Sequence, residues 1–89
     1  MSVGQFDSDY QQLYAQADRG DVAAVTQILK RTGSFDGELA FTHEMNLFTI
    51  RSGQKIAFSE ALLSLDPAEA DRVEQSLQQS ERTLRLMHH

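Results

Sequence analysis

His43 and Glu44 come closest to a chemical signature in this chain. They begin the pattern His-Glu-x-x-His, in which two histidines one helical turn apart hold zinc and the glutamate serves as general base. The place of the second histidine is taken by Leu47, which cannot ligate a metal. The surrounding segment reads as strand and turn, so His43 is expected as an exposed turn residue. His43, Glu44 and Arg51 make the one polar cluster to nominate for a shared active site. Asp7, Asp9, Asp18 and Asp21 are spaced as oxygen donors could be, but a calcium loop also needs a central glycine and a closing glutamate. Those are missing, and helix capping or solvated charge accounts for the four acids. His88 and His89 could bind metal weakly, as end residues or as the remnant of a purification tag. Gly33, Gly37 and Gly53 are too scattered for a phosphate loop, and no serine sits in a nucleophile elbow. No catalytic residue, cofactor or metal site is expected.

Composition narrows the classes further. With 40% hydrophobic and 24% charged residues, the 89-residue chain reads as one small globular domain, 1–89. A core of this size is thin, and a partner subunit is one way to bury more apolar surface. Cysteine is absent, which excludes a disulfide framework and fits a reducing cytoplasm. Met1–Gln5 shows neither a basic segment nor an apolar run, so no secretory leader is expected. The net charge of −5 is spread, −4 over residues 1–45 and −1 over 46–89. Nucleic-acid binding draws on clustered Lys and Arg, so this acidic balance argues against it.

The elements follow from punctuation and period. Ser8 and Gln11 have capping-box spacing, and Phe6, Tyr10, Leu13, Tyr14 and Ala17 recur at helical intervals. Gly20 stops that helix and Asp21 caps the next, whose stripe is Val22, Val25, Ile28 and Leu29 before Gly33. This helical pair spans 8–32. From Ala17 to Gly33 it is similar to the helical half of an ankyrin repeat, without the Thr-Pro-Leu-His opening or a second copy.

After Gly37 apolar residues alternate: Leu39 and Phe41, Phe48 and Ile50, Ile56 and Phe58. Period two predicts a three-stranded antiparallel β-meander over 38–58, turning near His43–Asn46 and Ser52–Gln54, with those six residues on one face. Ser59–Leu65 fits either a short helix or a continued strand.

Asp66-Pro67-Ala68-Glu69 then opens a long C-terminal helix, 66–87. Ala70, Val73, Leu77, Ser80, Leu84 and Met87 recur at steps of three and four, a narrow seam of the kind one helix lays along another. The expected fold is therefore α+β: two N-terminal helices, a meander and a long C-terminal helix. The expected function is a small non-enzymatic protein-interaction module, an adaptor, inhibitor or chaperone-like subunit, working through helix packing as a homodimer in the cytoplasm. Leu77, Ser80, Leu84, Leu86 and Met87 are its expected interface, with Tyr10 and Tyr14 as a second surface. The competing readings are a transcriptional or nucleic-acid-associated regulator, and a small enzyme or subunit contributing to a shared active site.

Overall fold

The structure is a computed structural model that describes residues 6–87, and of Met87 only the backbone. Five helices follow one another: α1 Ser8–Ala17, α2 Val22–Lys30, α3 Gly37–Gly53, α4 Lys55–Leu63 and α5 Pro67–Met87. There is no strand among the described residues, so the expected meander and the α+β class are corrected to an all-helical fold.

Ile56 and Phe58 show why the alternation misleads. In a strand they would share a face; on a helix, positions two apart point to opposite sides. Ile56 is 77% exposed and Phe58 only 4%. The helical stripe of α3 is His43, Asn46, Leu47 and Ile50, all buried. These are spaced i, i+3, i+4, i+7, but two of the four are polar, so hydrophobicity alone hides the period. Phe41 and Phe48 fall on other faces of α3 and leave the apolar residues scattered around it. Ala, Glu and Leu are also frequent across 38–63, and all three are strong helix formers.

The supposed turn at His43–Asn46 is mid-helix. The one at Ser52–Gln54 is the corner between α3 and α4. Gln54 serves both ends: its N–H donates to the Ile50 carbonyl at 2.7 Å, and its own carbonyl accepts from Phe58 N–H at 2.9 Å. Its side chain reaches back to donate to the Asp18 carbonyl at 2.9 Å, tying the corner to the end of α1.

Elsewhere the boundaries follow local chemistry. Asp7 caps α1, one residue before the expected Ser8, by accepting from Tyr10 N–H at 2.8 Å. Asp21 caps α2 through Ala24 N–H at 3.2 Å. Asp66 N–H donates to the Glu69 carboxylate at 3.2 Å, half of a capping box at the head of α5. The core lies where α1 packs on α2, α2 on α4, and α3 on both α4 and α5. Tyr10, Tyr14, Val25, Ile28, Leu29, Leu47, Ile50, Phe58, Val73 and Leu77 fill it.

Gly33 ends α2 at φ +91°, and a Cβ there would sit 2.9 Å from Arg72 Cδ. Gly33→Ala is expected to cost about 1–2 kcal/mol through left-handed strain, lowering the melting temperature by roughly 5–15 °C. Gly53, at ordinary φ with open space around it, should do the reverse, with Gly53→Ala gaining a few tenths to about 1 kcal/mol. Thermal melts followed by circular dichroism read both, and shifts of the same sign would contradict the turn at Gly33.

Candidate functional site

His43 is 1% exposed, not a surface turn residue. It stands on α3 between Tyr10 of α1 and Thr32 beyond α2. Tyr10 Oη lies 2.8 Å from Nδ1 and Thr32 Oγ1 lies 3.0 Å from Nε2. Asn46 Nδ2 donates to Tyr10 Oη at 3.2 Å. With Asn46 donating to it, the phenol keeps its own proton for Nδ1, and in that tautomer Nε2–H donates to Thr32. The imidazole is neutral. Burial, reinforced by the nearby Arg31 guanidinium, lowers its pKa to about 4. Burial likewise pushes the Tyr10 phenol up to about 12, against the opposing hydrogen bond from Asn46. Phe6 stacks on Tyr10 with centroids 4.0 Å apart, and Phe35 packs edge-on to Tyr10 and against His43. Asn46 Oδ1 is buried without a hydrogen-bond partner among the described residues.

Glu44, the next residue, serves another contact. Ser76 and Ser80 of α5 donate to its two carboxylate oxygens at 2.5 and 2.6 Å. The two serines are one turn apart and so face α3 together. A small concavity of about 230 Å³ beside these groups is lined by His43, Glu44, Thr32, Ser76 and Arg72, among others. Both nitrogens of His43 and both oxygens of Glu44 are already engaged within the chain. Arg51 does not join them: it lies over the Phe48 ring, 5.0 Å from the centroid. The nominated cluster of three is thus a pair of separate structural contacts plus a distant arginine. Leu47, where a second zinc histidine would be, is fully buried, and no group of three His, Asp or Glu suited to a metal occurs among the described residues. Asp7 and Asp21 are helix caps.

The open feature is a cleft of about 690 Å³ between α4 and α5. Phe58, Leu62 and Leu77 make its apolar lining. Arg51 and Lys55 stand at the α3–α4 wall, Glu74 and Glu81 at the α5 wall. Glu81 reaches Arg85 at 3.8 Å, whereas Lys55 and Glu74 form no ion pair among the described residues. Beside the cleft, Leu63 is 87% exposed, as is Ile56 at 77%.

The residues expected at an interface are distributed unevenly. Tyr10, Tyr14, Leu77 and Ser80 are covered by the chain itself, Leu84 is half-buried and Leu86 is 70% exposed. The Met87 side chain, His88 and His89 lie outside the described residues. The polar contacts of Asn46 and of Glu44 with the two serines were not anticipated; the His43–Asn46–Leu47–Ile50 spacing was the available signal. No known protein family, curated protein or solved structure matches the chain. Among the described residues no helix is long and apolar enough to cross a membrane.

The buried imidazole has a consequence for acid stability. Unfolded, His43 titrates near 6.5; folded, near 4. Below the higher value the unfolded chain binds a proton that the folded chain refuses, so stability present above pH 6.5 is lost as pH falls towards 4. The full loss is about 3 kcal/mol. Chemical denaturation at stepped pH should show the decline beginning between pH 6.5 and 5, before carboxylates protonate. His43→Gln should be less stable at pH 7 by about 1–3 kcal/mol, yet flat in that window. A wild-type profile equally flat there would rule out the neutral buried histidine.

Proposed function

We propose that this protein is a small non-enzymatic interaction module that acts by helix packing and associates with itself, in the role of an adaptor, inhibitor or chaperone-like subunit in the cytoplasm. One contrast carries the reading. The groups best suited to chemistry, His43 and Glu44, spend their hydrogen-bonding capacity inside the fold. Large apolar side chains remain outside it: Phe41, Ile56, Leu63 and Leu86 are all exposed. Several such residues on so small a chain favour a protein partner, because burying a leucine or isoleucine is worth about 1.5–3 kcal/mol. The acidic net charge and the absence of cysteine are consistent with this role.

Sedimentation velocity across micromolar to several hundred micromolar protein tests self-association. The expected result is a rise from the 10.0 kDa chain mass towards twice that value. The distal end of α5 is best probed by Leu86→Glu, which should leave the folding stability within about 0.5 kcal/mol of wild type, as exposed sites do. Leu77→Glu would instead unfold the core, and truncation after Gln79 would remove the Ser80 bond to Glu44. Sedimentation at the chain mass throughout the range would refute self-association.

A further inference from the structure

We infer that the cleft between α4 and α5 is the seat for α4 of a second copy, so that two chains join through a four-helix arrangement of their α4 and α5 helices. The inference rests on the self-association reading above and names its surface. Its basis is a match between two parts of the same chain. On α4, Lys55, Phe58, Ser59 and Leu62 face the cleft. Ile56 and Leu63 are two turns apart and share an exposed ridge next to it. Helical spacing puts Lys55 on one flank of that ridge and Glu60 on the other. The cleft carries Glu74 and Glu81 on one wall, Arg51 and Lys55 on the other, and Phe58, Leu62 and Leu77 between.

A helix seated against this cleft meets the glutamates of α5 with a cation and keeps an apolar ridge beside it. The α4 face centred on Ser59 has both: Lys55 on the cleft side, and Ile56 with Leu63 next to it. Because the surface that enters and the surface that receives belong to the same face, the contact can be isologous and closed by a two-fold axis. In an antiparallel crossing, Ile56 of one copy meets Leu63 of the other twice. The small Ser59 lies near the axis, where the helices come closest. The arrangement would cover the two most exposed large apolar side chains of the described residues. It would also give Lys55 and Glu74 the partners they lack.

Sedimentation equilibrium on the full-length chain tests this. Leu63→Glu should remain folded by circular dichroism, since the side chain is 87% exposed, and should weaken dimerisation at least tenfold. Lys55→Glu alone, and Glu74→Lys with Glu81→Lys, should each weaken it as well. All three charge reversals together should recover most of the wild-type association. If the unmodified chain dimerises and Leu63→Glu dimerises equally well, this surface is wrong while self-association stands. If the triple variant fails to recover, the charge pairing and the assignment fall. If the unmodified chain stays a monomer at several hundred micromolar, both the surface and self-association fall, and the cleft is left to a helix of a different protein.

Discussion

The fold depends on the hydrogen-bond chain Asn46–Tyr10–His43–Thr32. It ties α3 to α1 and to the end of α2, two helices that already pack on each other. A buried polar group is tolerable when it is paired and costly when it is not. Each link here therefore depends on all three segments being in place. Apolar contacts are non-directional, whereas this chain of donors and acceptors is satisfied only when its segments meet in register. The rings of Tyr10 and Phe35 pack against the imidazole, and Phe6 backs both of them. Asn46 Oδ1 is the unmatched atom of the set, a local cost set against the specificity of the rest.

The second polar contact does for α5 what the first does for the N-terminal half. Among the other helices α5 packs mainly on α3, and apolar packing alone leaves a helix free to rotate or slide. Glu44 holds two serines one turn apart, which fixes both motions. The position of α5 decides the width of the cleft, because α4 does not lie tightly against it. Structural and interactive roles are thus separated by face: the side of α3 bearing His43 and Glu44 is committed inward, while the α4–α5 side stays open.

Where the chain carries explicit punctuation, its elements were legible. Gly20, Asp21, Gly33 and Asp66-Pro67 mark ends that the structure reproduces, since left-handed turns and caps are local chemistry. The middle of the chain was not legible. Phe48 and Ile50, and Ile56 and Phe58, alternate by coincidence on helices whose apolar residues point several ways. The true stripe of α3 includes a histidine and an asparagine, which look like surface residues until their partners are known. Those partners are 11 and 33 residues from His43, beyond any local pattern. Ser80 illustrates the same limit. At a seam position it reads as a flaw in a coiled coil, but in three dimensions it is a ligand for Glu44.

Gly20 and Gln54 bring out one more property of the corner. A Cβ at position 20 would stand 2.9 Å from Gln54 Oε1, and that same side chain donates to the Asp18 carbonyl. Gly20 is held twice over: its φ of +90° disfavours any side chain, and a shorter residue at 54 would relieve only the contact and not the backbone strain. Contacting residues of this kind are energetically coupled rather than additive.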